Sequence, residues 1–190
     1  TFDLKVQDVL VKLEKGELFK YYNDYDQEGT AITSIEDGSI IALSGGRKYG
    51  ARGLNRATDI NRQPGSTAKP LFDYAPYMEY LNGSPGDYFF DEPYAYSTGQ
   101  SINDADRKYQ GMITLRKGLI GSRNVTALQA FQKVAAKDQS LIENFVHSVG
   151  INYGSALYES ASIGGFNGTN PLEMSAAYAV FGRGGYYIKP

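Results

Sequence analysis

Two runs rich in Ile, Ala and Thr flank Asp37-Gly38 in the stretch "GTAITSIEDGSIIALSGG". Asp-Gly between two such runs is a strong turn signal, so Gly29 to Leu43 is predicted to form a β-hairpin. The rest of the chain reads as helix or loop. Val6, Val9, Leu10, Leu13 and Leu18 give Val6–Tyr22 an amphipathic helical pattern. Ser66–Leu81 reads as mostly helix. Pro70 falls in its first turn, where proline is tolerated, and Pro76 is expected to kink or interrupt it near Ala75. "MITLRKGLIGS" and "NVTALQAFQKVAAKD" read as two helices broken at Gly121-Ser122-Arg123, and "DQSLIENFVHSVGI" as a third ending near Gly150. "NPLEMSAAYAVFGRGG" is a fourth, with Asn170 as N-cap and Gly182 near its end. The final residues look like the start of another strand. A hairpin followed by several helices indicates an α+β chain whose remaining strands lie elsewhere. Ser44–Gly65 and Asn82–Gly111 read as long irregular segments, and loops of that length are usually functional or disordered.

Composition narrows the chemistry. The 190 residues contain no cysteine, which rules out disulfides and thiolate metal sites. His147 is the one histidine, so a histidine triad or multi-histidine metal centre is almost excluded; it reads as a helix residue without a chemical role. A net charge of -2 and the lack of any Lys/Arg run argue against a nucleic-acid partner. No apolar run approaches the length of a membrane helix. The chain starts without methionine and stops abruptly at "GGYYIKP", so it is read as a piece of a longer protein.

The chemistry centres on "NRQPGSTAKP". On a helix, Ser66 and Lys69 share a face, with Cβ atoms about 5–6 Å apart. Serine needs a base to act as a nucleophile, and lysine serves only if burial or nearby positive charge keeps its amine neutral. The N-terminal turn would add N–H groups for a developing oxyanion. Taken alone the spacing is weak evidence, because serine is also an ordinary helix cap and lysine an ordinary surface residue.

The flanks add specificity. "RQPGSTAKP", with "LRKGLIGSRNVTALQAF", the opening "TFDLKVQDVL" and "ASIGGFNGTNPLEMSAAYAVFGRGG", resembles the transpeptidase domain of class A penicillin-binding proteins along essentially the whole chain. The resemblance implies the penicillin-recognising serine acyltransferase fold shared with β-lactamases: an antiparallel sheet with helices, incomplete here. Residues 1–28 would be a linker helix region. Residues 29–190 would be the N-terminal part of the catalytic domain.

The resemblance also assigns roles. Ser66 is the nucleophile and Lys69 its base. Ser122 relays a proton, and Asn124 holds the substrate amide and helps position Lys69. Arg123, at the variable centre of that second motif, receives no catalytic role. Ser101-Ile102-Asn103 fits the same Ser-x-Asn pattern but lacks the flanking helices, and is read as coincidence. The family's Lys-Thr-Gly element is absent; Lys48-Tyr49-Gly50 precedes the nucleophile and does not qualify. A second chain, the remainder of the same domain, is therefore expected to complete the site.

The implied function is D,D-transpeptidation of peptidoglycan stem peptides ending in D-Ala-D-Ala, with β-lactams acylating the same serine. The protein would be half of a bifunctional glycosyltransferase/transpeptidase at the outer face of a bacterial membrane, reached through an N-terminal anchor outside this chain. No cofactor and no metal is expected. A β-lactamase or a penicillin-binding sensor module are the alternatives; Arg123 stands where class A β-lactamases carry Asp.

Overall fold

A computed structural model describes every residue except Thr1, Tyr49 and Ala51, so the centre of Lys48-Tyr49-Gly50 lies outside the described residues. The chain divides into two compact units. One comprises Thr1–Arg62, Val149–Ile151 and Thr169–Pro190; the other comprises Gln63–Ser148 and Asn152–Gly168.

In the first unit, helix α1 (Leu4–Glu14) begins at Asp3, whose carboxylate accepts the Lys5 and Val6 N–H groups at 2.8 and 3.2 Å. It stops well short of Tyr22. Gly16 takes φ 75, its N–H reaches Leu13 O, and the Glu17 N–H reaches Lys12 O. That left-handed ending is open to glycine at little cost, which is why the periodic pattern overran the real helix. The hairpin pairs β1 (Thr30–Thr33) with β2 (Ile40–Ser44) in antiparallel register, with a bulge between Ile32 and Thr33. Its connection is wider than a tight two-residue turn. Ser34 N–H bonds Ser39 O, the Ser34 hydroxyl accepts the Glu36 and Asp37 N–H groups, and Asp37 accepts the Ser39 N–H. Side-chain bonds of this kind compete with the shorter turn.

Gln7 on α1 extends the ladder, donating to Leu43 O at 2.8 Å and accepting the Leu43 N–H at 3.1 Å. Helix α5 (Pro171–Gly182) starts where predicted, with Asn170 accepting the Glu173 N–H at 2.9 Å. It packs on β1, where the Thr33 and Ser175 hydroxyls lie 2.8 Å apart. Residues 186–190 form no strand, contrary to expectation.

The second unit is organised on α4 (Asn124–Ser148), where Val125, Leu128, Phe131 and Val134 are fully buried at helical spacing. The break expected near Asp138 is present: its φ/ψ of −169/118 interrupts the helix, and its side chain caps the resumed segment at the Ser140 N–H. Against α4 pack α2 (Ala75–Leu81) and a π-helical turn, Pro70–Tyr74. Pro76 sits in the first turn of α2 without breaking it. The widened π turn comes just before it, with the Ala75 N–H bonded to Pro70 O. Neither Pro70 nor Pro76 has an N–H to give, so a regular helical ladder through both would lose donors, and the chain changes helix type between them.

Asn82–Gly111 is not irregular throughout. It holds β3 (Tyr88–Asp91), β4 (Tyr94–Ala95) and β5 (Ser101–Ile102). β3 pairs with β6 (Gly111–Thr114), and β4 pairs with β5. β3 alternates strictly, with Phe89 and Asp91 buried and Tyr88 and Phe90 exposed. Met112–Thr114 therefore belongs to a strand. The helix predicted from Met112 shrinks to α3 (Leu115–Ile120), capped by Thr114 Oγ1 on the Lys117 N–H.

Candidate active site

Ser66 lies in a 3₁₀ turn, Gly65–Ala68, that leads through Lys69 into the π turn. Gly65 has φ 58, which a side chain would strain. A second 3₁₀ turn, Glu159–Ile163, ends in Gly164 at φ 87. A Cβ on Gly164 would fall 2.4 Å from the Gly65 carbonyl oxygen, so bare backbone braces the turn that presents the serine. Ser66 is exposed. Among the described residues its hydroxyl has no hydrogen-bond partner, so it is not acting as a helix cap.

Lys69 is fully buried. Its amine donates to Ser122 O at 2.6 Å and to Asn124 Oδ1 at 2.7 Å, and lies 3.1 Å from Ser122 Oγ. The first two partners are obligate acceptors. A neutral amine can satisfy both with its two hydrogens and still take the Ser122 hydroxyl proton on its lone pair. Burial lowers the lysine from 10.5 to about 8, opposed by Asp73 and Asp104 and assisted by Arg123.

Ser122 is exposed and adopts φ 49, a left-handed conformation unusual for a side chain. It follows Gly121 in a tight exit from α3, where Ser122 N–H bonds Leu119 O and Arg123 N–H bonds Gly118 O. Asn124 opens α4. Its Nδ2 donates to Asn103 O at 2.8 Å, and its backbone N–H donates to Asp104 Oδ1. All four predicted residues thus fall within one unit. Lys69 joins Ser122 and Asn124 directly, while Ser66 lies three residues before it in the 3₁₀ turn, its hydroxyl unbonded among the described residues. His147 is exposed at the end of α4, apart from this cluster's bonds.

Three contributions to the geometry of this cluster escaped the sequence reading. Arg123 is buried and bonded through its whole fork: Nε to Asp91 at 2.8 Å, Nη1 to Asp106 at 2.9 Å, Nη2 to the Lys108 carbonyl, with Asp104 at 3.0 Å. It ties β3 and the 104–108 loop to the start of α4, so the motif's centre is its anchor. Asp104 is pushed upward by burial and by Asp91 beside it. Asn103, taken for part of a coincidental motif, supplies the carbonyl that orients Asn124. No local signal in the sequence marked these contacts, because the partners of Arg123 lie 15 to 32 residues away.

A buried lysine bridging two motif residues, in a unit of helices and short antiparallel ladders, defines the class of molecule. Residues 29–190 match the family model described as the penicillin binding protein transpeptidase domain, and the chain belongs to that family. Penicillin-binding protein 1A/1B of Bacillus subtilis is 39% identical over 194 residues, covering 100% of this chain and 21% of the relative. Penicillin-binding protein 1A of Streptococcus oralis is 36% identical over 99% of this chain and 31% of the relative. The chain thus spans about a fifth to a third of these relatives. The crystal structure of penicillin-binding protein 1A from Haemophilus influenzae superposes with a TM-score of 0.74 at 30% identity, covering 86% of this chain and 24% of that one. PonA1 of Mycobacterium tuberculosis, solved in complex with penicillin V, shares the fold at TM-score 0.81 and 18% identity, over 100% of this chain and 52% of that one.

Proposed function

We propose that this chain supplies the nucleophile, base and proton relay of a serine D,D-transpeptidase that cross-links peptidoglycan stem peptides. The observation that carries the reading is the buried Lys69 amine, bonded at once to Ser122 and Asn124. Its neighbours suit an amine without a proton, the state a base needs.

Ser66 Oγ gives its proton to Lys69 Nζ and attacks the carbonyl between the two terminal D-alanines. The Ser122 hydroxyl passes a proton from Lys69 to the departing D-alanine nitrogen, leaving an acyl-enzyme on Ser66. An amine of a neighbouring stem peptide then attacks, its proton returns through Ser122 and Lys69, and Ser66 is released. Asn124, held by Asn103 O and Asp104, fixes Lys69 and receives the substrate's amide. A β-lactam enters the same first step but leaves slowly. A Lys-Thr-Gly strand from outside these 190 residues would complete the oxyanion site. The working protein would be a bifunctional synthase at the outer face of the cell membrane. Among the described residues no helix is long and apolar enough to cross a membrane.

Labelling the full protein with a fluorescent penicillin tests the reading. The adduct is expected on Ser66, and labelling that survives Ser66→Ala would overturn it.

A further inference from the structure

The β4–β5 hairpin runs directly into Asn103, whose carbonyl fixes Asn124, yet residues 97–100 at its tip are all exposed. Two open hollows, of about 900 and about 780 Å³, meet at Ser97 and Glu159; the first is bordered by Ser101 and Gln132, the second by Thr98 and Tyr158. Packing grips the strands instead, where Ile102 meets Val125 and Leu128 on α4, with Tyr94, Tyr96 and Ile163 against them. The tip is held by Glu159. Its Oε2 accepts the Ser97 N–H at 2.7 Å, and its Oε1 accepts the Ser97 hydroxyl at 2.6 Å and the Gln132 amide at 2.8 Å. The Tyr94 hydroxyl in turn donates to Gln132 Oε1 at 2.7 Å. Burial pushes Glu159 up, but the Ser97 and Gln132 bonds hold it below the ordinary glutamate range, as a carboxylate that only accepts. Bonds to an ionised acceptor are roughly twice as strong as neutral ones.

Each part that this carboxylate joins leads to the active site. Ile102 directly precedes Asn103, and Val125 directly follows Asn124. Ile163 directly precedes Gly164, whose backbone abuts Gly65, the residue before Ser66. The turn from Glu159 to Gly164 is stiffened by its own bonds. The Ser162 hydroxyl donates to Glu159 O at 2.6 Å, the Gly165 N–H to Ser160 O at 2.8 Å, and the Ser160 hydroxyl to Gly165 O at 2.7 Å. A shift at Glu159 is therefore carried to Gly164.

We propose that Glu159 is a positioning residue for acylation: it latches the β4–β5 hairpin to the 3₁₀ turn and so keeps Asn124 and Ser66 in register with one another. The inference rests on the reading of Ser66 and Asn124 given above. The bonds of Glu159 reach none of Ser66, Lys69, Ser122 or Asn124. It acts through Asn103 on Asn124 at one end, and through Gly164 on Gly65 and Ser66 at the other.

A latch needs reach more than charge, and two substitutions separate them. In Glu159→Gln the side-chain oxygen still accepts the Ser97 N–H. Its nitrogen then faces the Ser97 hydroxyl, which can accept, and Gln132, whose amide can turn over to offer oxygen while its nitrogen donates to the Tyr94 hydroxyl. Every partner stays bonded. Glu159→Asp keeps the charge but is one carbon too short to hold Ser97 and Gln132 together without moving the hairpin. Glu159→Ala removes the latch.

The test is the rate constant for acylation of the full protein by a fluorescent penicillin, with the fraction of protein finally labelled read in the same experiment. A residue that serves stability alone changes how much protein can be labelled, not how fast each folded molecule reacts. Glu159→Ala is expected to label to the wild-type fraction but about 10–100-fold more slowly, the usual result of a misplacement near 1 Å. Glu159→Asp should be slowed as well, and Glu159→Gln should recover most of the rate. A wild-type rate constant in Glu159→Ala, or a loss confined to the labelled fraction, overturns the proposal. So does a Glu159→Gln protein as slow as Glu159→Ala, which would make charge the cause. Should Glu159→Ala fail to fold, as judged by its melting curve, the other two decide: a fast Gln and a slow Asp variant uphold the latch, and any other order overturns it. Ser66→Ala separates the two readings. Labelling that survives it refutes the serine assignment, whereas an unlabelled Ser66→Ala beside a wild-type rate in Glu159→Ala refutes only the role of Glu159.

Discussion

Lys69 Nζ sits 2.7 Å from Asn124 Oδ1, while the same amide's Nδ2 donates to Asn103 O at 2.8 Å. The second bond fixes the first. With its nitrogen committed to a carbonyl, Asn124 can present only oxygen to the lysine, and an oxygen accepts a hydrogen from either a neutral or a charged amine. The loss of charge that makes Lys69 useful is therefore left to burial and its ionic neighbours.

Lys69→Arg separates charge from basicity. Arginine keeps the positive charge and the donors but does not deprotonate in proteins. Penicillin acylation is expected to fall by about 10²–10⁴-fold, the usual worth of a positioned base. Stopped-flow acylation would read it. Retention of more than a tenth of wild-type activity would remove Lys69 from the role of base.

Burial of Lys69 also has a thermodynamic signature. The amine falls from 10.5 to about 8 on folding. Between those values the unfolded chain holds a proton that the folded chain has released, so stability rises with pH across that window. Below it both states hold the proton and the penalty is full, about 3 kcal/mol from 1.36 kcal/mol per unit. Compared with Lys69→Met, wild type should gain stability as pH goes from 8 to 10.5, measured by denaturant unfolding at each pH. A constant difference would contradict the shift.

Arg123→Met leaves Asp91 and Asp104 buried without their counter-charge. Breaking a buried pair in this way costs about 3–5 kcal/mol. The melting temperature should drop by on the order of 10 °C. Arg123→Lys should recover only part of this, since an ammonium cannot reproduce the fork. Equal stability of all three proteins would show that the network is dispensable.

Gly164→Ala asks for a side chain at φ 87, with its Cβ 2.4 Å from the Gly65 carbonyl. The strain is about 1–3 kcal/mol. Because the obstructed atom belongs to the residue before Ser66, acylation should slow more than melting suggests. A Gly164→Ala protein that acylates at wild-type rate would show that the brace does not govern Ser66.

What was legible in the sequence followed from local rules. Helix α5, its Asn170 cap, the break at Asp138 and the interruption at Gly121–Arg123 all depend on residues within one or two turns of each other. So does the pairing of strands around residues 34–39, although the side chains of Ser34 and Asp37 made that turn wider than the dipeptide alone suggested. The Ser66, Lys69, Ser122, Asn124 set was legible as motifs, and that Ser122 and Asn124 act with Lys69 came from the resemblance alone; no local rule shows that Lys69 bonds both and leaves Ser66 unbonded, because that depends on α3 and α4 folding back across more than fifty residues. The Asp91 and Asp104 contacts to Arg123 were hidden for the same reason. β3 to β6 were missed because strands of two to four residues among prolines leave little periodicity to detect.

The π turn between the two prolines has a consequence for anyone shortening or grafting this segment. A π turn holds one residue more than the α turn it replaces, so it takes up that residue locally instead of passing about 100° of rotation along the helix. A single deletion inside Pro70–Tyr74 should therefore be absorbed as the turn narrows, with α2 still on α4 and Lys69 still facing Ser122. A second deletion would find no slack left and would turn Lys69 away from Ser122 by about 100°. The π turn is this segment's one-residue tolerance.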